Sequence, residues 1–229
     1  MAKNKLKKYS EVADFQNVIQ PSFDDLKKDF SLKGSWAEQY FENNNPLILE
    51  LGCGKGEYAV HLAEMNPDIN FIGLDIKGAR LWSGGQIALE KELANVAFIR
   101  SDIFRIDKLF AENEINEIWI TFPDPQPKKK QIKKRLTNPR FLYKYKRFLK
   151  KDGVIHLKTD NVEFFDYTLE VVNELKCKLL TSTHSLYSND VEEILNVKTY
   201  YEKKFLEQGL AICYLQFQLP SDLIQQSFG

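Results

Sequence analysis

The chain has 229 residues, of which 43% are apolar and 13% aromatic, and this composition excludes a disordered or low-complexity protein. No apolar run approaches the roughly 20 residues that span a bilayer, and no apolar segment follows the N-terminal lysines, so the sequence predicts no membrane segment and no secretory signal. The three cysteines are widely spaced and form neither a disulfide framework nor a zinc pattern. We therefore expect a cytoplasmic protein that binds no metal.

The net charge of zero hides an uneven distribution of charge along the chain. Residues 1–8 hold four lysines and no acid, and residues 126–151 hold twelve Lys or Arg and no acid. The remainder of the chain carries all 32 acids against 16 bases. An acid-free basic block in an otherwise acidic chain predicts a polyanionic partner, and nucleic acid is the first candidate.

Residues 1–45 are predicted to form a basic, partly flexible N-terminal extension, and residues 46–229 a single domain. In the extension, Ser22 is a candidate cap for a short helix. Strand-like and helix-like segments alternate in the domain. In chain order they are strand 47–51, helix 57–65, strand 70–76, helix 84–93, strand 96–100, helix 106–112, strand 117–122, a helix that Asn138 and Pro139 open, strand 154–159, helix 164–175, and strands 179–185 and 210–219.

This alternation predicts a mostly parallel α/β sheet with helices on both faces. The last two strands are separated by an irregular stretch and are expected to form an antiparallel hairpin at one edge. The pattern is typical of the Rossmann-like class I methyltransferase fold with seven strands, and it also fits an ordinary dinucleotide-binding fold. The motifs have to distinguish the two.

A glycine-rich turn follows the first strand and leads into a helix. Gly52, Gly54 and Gly56 let the backbone approach a ligand closely, and the helix N-terminus offers free amides. A dinucleotide fingerprint needs glycine where this chain has Glu57, whose carboxylate would repel a pyrophosphate. Glu50 at the strand end instead favours a cationic ligand, and S-adenosylmethionine carries an ammonium and a sulfonium group.

Acids also follow the next two strands. Asp75 ends the second strand, where a carboxylate can hold both hydroxyls of a ribose. Asp102 follows the third strand, where it can accept from an adenine amino group. Together with the glycine turn, these acids predict a nucleoside cofactor. We favour S-adenosylmethionine over NAD, and a dinucleotide-dependent oxidoreductase is the alternative.

A proline-rich loop after the fourth strand is expected beside the glycine turn, at the crevice where ligands bind in such sheets. Prolines on both sides of Asp124 restrict the backbone and hold its carboxylate in that crevice. The basic residues from Lys128 to Arg135 then place phosphate-binding charge next to it.

Four motifs, in this order, resemble the bacterial tRNA (guanine-N7-)-methyltransferase family. They are Leu-Glu-Leu-Gly-x-Gly-x-Gly from residue 49, Phe-Pro-Asp-Pro from residue 122, His-Leu-Lys-Thr-Asp from residue 156 and Thr-Tyr-Tyr-Glu-Lys-Lys-Phe from residue 199. The resemblance covers roughly residues 45–217. It implies an enzyme, monomer or homodimer, that transfers a methyl group from S-adenosyl-L-methionine to N7 of a tRNA guanosine, the variable-loop guanosine at position 46.

The resemblance also implies roles for individual residues. The cofactor site would contain Glu50, Gly52, Gly54, Asp75, Asp102 and Asp124. The substrate guanosine would contact Lys128, Asp160 and the segment from Thr199 to Glu202, and the rest of the RNA would contact Lys130, Lys133, Lys134 and Arg135. This chain has Gln126 where the family usually has Trp, directly after Pro-Asp-Pro.

The chemistry of guanine N7 limits what these residues must do. N7 carries an in-ring lone pair and no proton, so its methylation needs no general base. The reaction needs N7 held about 3 Å from the sulfonium methyl and in line with the breaking bond. Positive charge moves to the purine, so we expect Asp124 to be the catalytic residue, orienting the reactants and stabilising that charge. Asp160 or Glu202 is expected to accept from the adjacent N1–H and N2–H of guanine, a pair that adenine lacks.

Other functions stay open from the residues alone. They are a class I methyltransferase that acts on another RNA position or on protein, and a non-catalytic RNA-binding relative.

Overall fold

Eight strands form a single mixed sheet within the residues that the computed structural model describes, which are 2–28, 30–188 and 193–223. In chain order the strands are β1 (Val18–Ile19), β2 (Leu47–Leu51), β3 (Asn70–Asp75), β4 (Val96–Arg100), β5 (Ile115–Thr121), β6 (Leu149–Thr159), β7 (Lys178–Thr183) and β8 (Cys213–Gln218). Their order across the sheet is β1-β4-β3-β2-β5-β6-β8-β7. Because β8 is antiparallel to β6 and β7 and the other pairs are parallel, the predicted Rossmann-like architecture with an antiparallel edge is confirmed.

Helices connect these strands. The α-helices are α1 (Ala2–Ala13), α2 (Phe23–Lys27), α3 (Glu57–Met65), α4 (Gly78–Glu90), α5 (Pro139–Lys146), α6 (Val162–Glu174), α7 (Glu193–Asn196) and α8 (Tyr200–Glu207). A π-helix lies at Trp36–Tyr40, and 3₁₀ helices lie at Ile103–Lys108, Lys129–Lys134 and Leu186–Ser188.

Successive residues of the central strands enter opposite faces of the sheet, as the two-residue period of a strand requires. In β2, Leu49 packs in a core cluster with residues of α5 and α6, whereas Ile48 packs in a second cluster with residues of α3 and α4. In β5, Ile118 belongs to the first cluster and Trp119 to the second. Helices therefore cover both faces, as predicted.

Local capping signals locate two helix starts. Ser22 and Asp25 form a capping box at α2, and the Asn138 side chain accepts from Arg140 N at α5, with Pro139 at the first helical position. Other boundaries differ from the prediction, and strand β6 begins at Leu149, five residues before the predicted start at 154. Helix α4 starts at Gly78, six residues before the predicted start, and the segment predicted as helix 106–112 is instead the 3₁₀ helix Ile103–Lys108.

The segment before residue 46 packs onto the rest of the chain. Its strand β1 pairs with β4 and adds an eighth strand to the seven predicted. Its Trp36 is fully buried, and Trp36 Nε1 donates to the carbonyl of Leu109 at 3.0 Å. Helix α1 packs against α4. The division into 1–45 and 46–229 stays a prediction, and both ranges include residues outside the described part of the chain.

Candidate active site

The strand order reverses at β2, which has β3 on one side and β5 on the other. Ligands of open parallel sheets bind at this point, beyond the carboxyl ends of the strands. A cavity of about 320 Å³ lies there. It brings together four predicted cofactor residues, Gly52, Asp75, Asp102 and Asp124.

A second, smaller cavity of about 80 Å³ adjoins the first, and Gly52, Arg80 and Phe122 line both. Glu50, Gly54 and Thr199 line the smaller cavity, together with two tyrosines that follow Thr199. The predicted cofactor residues therefore line two adjoining cavities beyond the carboxyl ends of the parallel strands.

Hydrogen bonds to Asp75 hold the glycine turn against the next strand. Gly54 N donates to Asp75 Oδ2 at 3.1 Å, and Lys77 N donates to Asp75 Oδ1 at 2.7 Å. Gly56 and Gly84 let the turn contact α4, because a Cβ at Gly84 would lie 2.7 Å from the carbonyl oxygen of Lys55. Each carboxylate oxygen of Asp75 retains a further acceptor site, so the same side chain can also accept from a ribose.

Glu50 is a buried carboxyl group with one unpartnered oxygen. Thr121 Oγ1 donates to Glu50 Oε1 at 2.5 Å, while Oε2 is buried without a hydrogen-bond partner among the described residues. Burial raises the pKa of Glu50 to about 7, and the hydrogen bond from Thr121 opposes that shift. An orphaned acidic oxygen beside a cavity fits the cationic amine of S-adenosylmethionine, which would supply the missing donor.

We expect Glu50→Gln to stabilise the unliganded protein at pH 8 and to have little effect at pH 4.5. A raised pKa means that the protonated carboxyl favours folding below about pH 4.5, and that this stability is lost as the pH rises through 7. The amide stays neutral, so the variant should gain at most about 3 kcal/mol in free energy of unfolding at pH 8. Urea denaturation at both pH values measures the gain. A gain of the same size for Glu112→Gln on the surface would contradict the assignment to burial.

Hydrogen bonds and constrained backbone angles hold the loop that carries Asp124. Phe122 and Gln126 adopt left-handed φ angles of 48° and 47°, which non-glycine residues keep only when their surroundings enforce them. Gln126 N donates to Asp124 Oδ1 at 3.0 Å, and Arg135 Nε donates to the carbonyl of Pro125 at 3.0 Å. Asp124 itself is exposed and faces the larger cavity.

Arg135 differs from the other predicted RNA contacts. It is only 3% exposed, pairs with Glu163 at 3.1 Å and lies with its guanidinium 4.4 Å from the ring centre of Tyr167. All of these contacts are internal, so the structure leaves Arg135 unavailable to a phosphate and gives it the role of anchoring the Asp124 loop. The other basic residues of this segment are exposed: Lys128, Lys129, Lys130, Lys133 and Lys134, of which Lys134 also lines the larger cavity.

The predicted guanosine contacts Thr199, Asp160 and Glu202 differ in burial and in their distance from the cavities. Thr199 caps α8 and lines the smaller cavity. Asp160 follows β6, is half-buried and lines neither cavity, and burial raises its pKa. Glu202 is fully buried, with Lys158 Nζ at 2.8 Å and the Tyr187 hydroxyl donating to it at 2.5 Å. Glu202 is therefore not available to a substrate in this structure, because its oxygens already serve internal donors.

Two residues at the site were not predicted from the sequence. Arg80 lines both cavities, and Lys158 pairs with Glu202. Lys158 stands inside a motif that the sequence singles out, but the motif does not indicate that its side chain is buried.

The described helices include none that is long and apolar enough to cross a membrane. In the same part of the chain, no three His, Cys, Asp or Glu side chains group closely enough to hold a metal ion.

Comparison with known proteins identifies the family. The sequence profile of a family described as "Putative methyltransferase" matches residues 44–215. The tRNA (guanine-N(7)-)-methyltransferase of Christiangramia forsetii is 51% identical over 221 residues, which covers 95% of this chain and 99% of the relative. The protein of the same name from Bacteroides fragilis is 46% identical over 97% of this chain and 88% of the relative. The one from Listeria innocua is 39% identical over 86% of this chain and 91% of the relative.

Solved structures share the fold at low sequence identity. The 16S rRNA methyltransferase KamB matches with a TM-score of 0.61 and 14% identity, over 80% of this chain and 92% of that chain. A SAM-dependent methyltransferase from Aquifex aeolicus matches with a TM-score of 0.53 and 13% identity, over 92% of this chain and 98% of that chain.

Proposed function

This chain belongs to the tRNA (guanine-N(7)-)-methyltransferase family, and on that premise we propose that it methylates N7 of a guanosine in tRNA, with S-adenosylmethionine as the methyl donor. The observation that carries the proposal is the convergence of Asp75, Asp102 and Asp124 on one cavity, beside the unpartnered oxygen of Glu50. We further propose the variable-loop guanosine at position 46 as the target and the cytoplasm as the compartment.

We assign the parts of the cofactor to the residues that fit them. Glu50 accepts from the amine, Asp75 from the ribose hydroxyls and Asp102 from the adenine amino group. When bound, the cofactor supplies an electrophilic methyl group on a sulfonium centre. Since the carboxyl of Glu50 has a pKa of about 7, we expect cofactor affinity to fall as the pH drops below 7.

The protein's contribution to the proposed reaction is positioning and charge stabilisation. The N7 lone pair forms the new bond to the methyl carbon, and the electron pair of the breaking bond stays on sulfur, so no proton moves. Asp124 lies on a loop that hydrogen bonds fix, and its negative charge faces the cavity where the purine becomes cationic. Asp160 is the acceptor we favour for guanine N1–H and N2–H, because the oxygens of Glu202 are already occupied.

The exposed lysines after the Asp124 loop form the proposed RNA surface. We expect tRNA binding to weaken with salt at a log–log slope of about −3 to −6, the slope for several phosphate contacts. Lys130→Ala combined with Lys133→Ala should reduce the slope by about 1–2. The matched control is Lys150→Ala with Lys151→Ala. It removes two exposed lysines near the start of β6, at the end of that strand opposite the carboxyl end. Filter binding measures the slope for each double variant. An equal reduction of the slope by both double variants would contradict RNA binding at the surface after the Asp124 loop.

Incubation with isotopically labelled cofactor tests the function directly. The acceptor is bulk tRNA that lacks 7-methylguanosine, and chemical scission at modified guanosines then locates the label. We expect scission at a single variable-loop position. Label at another position, or on protein, would replace the proposed substrate, and absence of label would reject the proposed activity.

A further inference from the structure

Arg80 lies on the first turn of α4, outside all four sequence motifs. Its side chain is exposed and lines both cavities of the candidate site. Among the described residues, its guanidinium makes no hydrogen bond and no ion pair. An arginine that borders two adjoining cavities and keeps all of its donors is available to bind an anion there.

The register of α4 places Arg80 on the side of the glycine turn. Gly84 follows Arg80 by one helical turn, so the two residues share a face of the helix. That face lies close to the turn, because a Cβ at Gly84 would be 3.1 Å from Gly56 Cα. Helix side chains also lean toward the N-terminus, which for α4 is the end beside the cavities. The Arg80 side chain is therefore positioned near the turn and not toward bulk solvent alone.

The smaller cavity needs a cation if it is to hold an amino-acid tail. S-adenosylmethionine ends in an ammonium and a carboxylate, and the unpartnered oxygen of Glu50 provides for the ammonium. An anion at the N-terminus of α3 would meet the side chain of Glu57, the first residue of that helix, whose Oε2 accepts from Tyr200 N at 3.0 Å. Its negative charge opposes the attraction of the helix terminus for a carboxylate. A positive side chain has to compensate for it.

Two cationic side chains in the described part of the chain line the smaller cavity, Lys55 and Arg80. Lys55 already has partners, because its Nζ lies 3.9 Å from Glu57 Oε1 and 4.8 Å from the ring centre of Tyr200. The guanidinium of Arg80 is uncommitted, and its planar shape allows two parallel hydrogen bonds to a carboxylate. Arg80 is therefore the better partner for the carboxylate of the tail.

We propose that Arg80 binds the carboxylate of the methionine tail of S-adenosylmethionine and makes the site selective for a cofactor that carries this group. Glu50 and Arg80 then bind the two opposite charges of the tail. Because the carboxylate takes no part in methyl transfer, its contact is the same before and during the reaction. Arg80 therefore contributes to affinity for the cofactor and not to the rate of the chemical step.

Calorimetric titration at pH 8 tests the contact with two ligands. They are S-adenosylhomocysteine and its decarboxylated form, which keeps the adenosine, the sulfur and the amine. Arg80→Met should weaken binding of S-adenosylhomocysteine by roughly 10-fold, the lower end of the effect of losing a hydrogen bond between charged groups. Binding of the decarboxylated ligand should be unchanged, which also shows that the variant is folded. Arg80→Lys keeps the charge without the planar guanidinium and should have a smaller effect.

Glu50→Gln and Arg147→Met are the matched controls. Both ligands carry the amine assigned to Glu50, so Glu50→Gln should weaken both by a similar factor. The side chain of Arg147 is 68% exposed and lines neither cavity, so its replacement should change neither affinity. An equal loss for both ligands in Arg80→Met, or no loss for either, would overturn the proposal.

Steady-state methyl transfer gives a second readout and tests the competing anion, an RNA phosphate. Arg80→Met should raise the half-saturating concentration of S-adenosylmethionine by roughly 10-fold and leave the rate at saturating cofactor almost unchanged. A raised half-saturating concentration of tRNA, with unchanged affinity for S-adenosylhomocysteine, would overturn the proposal in favour of a phosphate contact. Selective loss of S-adenosylhomocysteine binding by Arg80→Met, where the wild-type protein methylates no tRNA, would support the carboxylate contact and reject the proposed function instead.

Discussion

Replacing Lys158 with Met is expected to lower the free energy of unfolding by about 3–5 kcal/mol, because the change leaves a buried carboxylate without its cation. The side chains of Lys158 and Glu202 are both 0% exposed. Burial lowers the pKa of Lys158, and the adjacent Glu202 carboxylate opposes that shift. The ammonium also donates to the carbonyls of Leu195 at 3.1 Å and Val197 at 3.3 Å, so the substitution releases the segment that leads into α8. Urea denaturation followed by circular dichroism measures the loss.

The control for this prediction is a surface ion pair of comparable length. Lys91 Nζ lies 2.6 Å from Glu64, and both side chains are 44% exposed. Exposed pairs contribute about 0–1 kcal/mol, so Lys91→Met should have a small effect. Adding Glu202→Gln to Lys158→Met removes the unpaired charge and should recover part of the loss. An equal loss in free energy of unfolding for Lys158→Met and Lys91→Met would show that the buried ion pair contributes no more to stability than the exposed pair.

The sequence predicts the parts of the fold that depend on local patterns. Strand β2, helix α3 and strand β4 lie within their predicted bounds, because apolar runs and stop signals such as Asn66-Pro67 act within a few residues. Strand β1 was missed because it has two residues and exists only through pairing with β4. The start of α4 was missed because Gly78 is a poor helix former, and its close packing against Tyr9 and Arg100 is a tertiary property.

In the candidate site, too, local sequence patterns predict some residues and miss those whose partners are distant along the chain. Acids at the ends of parallel strands are predictable in position, since those ends meet at one edge, and Asp75, Asp102 and Asp124 do line one cavity. Charged residues in a motif, by contrast, are easily interpreted as exposed. Arg135 and Glu202 are buried instead. The partner of Arg135 is Glu163, 28 residues away, and the partner of Glu202 is Lys158, 44 residues away. No local pattern encodes such pairings.

Asp124→Asn should slow single-turnover methyl transfer by roughly 10²-fold, the scale of losing one positioned electrostatic group, and leave tRNA affinity almost unchanged. Asn retains an oxygen that can accept from Gln126 N, and Arg135 still anchors Pro125, so the loop should keep its conformation. The variant therefore removes the negative charge that faces the purine and little else. Transfer at saturating cofactor reports the chemical step, and filter binding reports the affinity for tRNA.

Asp102→Asn is the matched control for Asp124→Asn. Asp102 lines the same cavity, is also exposed, and accepts from Phe104 N through Oδ1 at 2.9 Å, so Asn again preserves the local hydrogen bond. Because Asp102 is assigned to the adenine amino group, its loss should weaken cofactor binding, and saturating cofactor should restore the rate. The two variants thus separate binding from charge stabilisation. Equal rate losses at saturating cofactor, or full activity of Asp124→Asn, would contradict a role for the Asp124 charge in the transfer step.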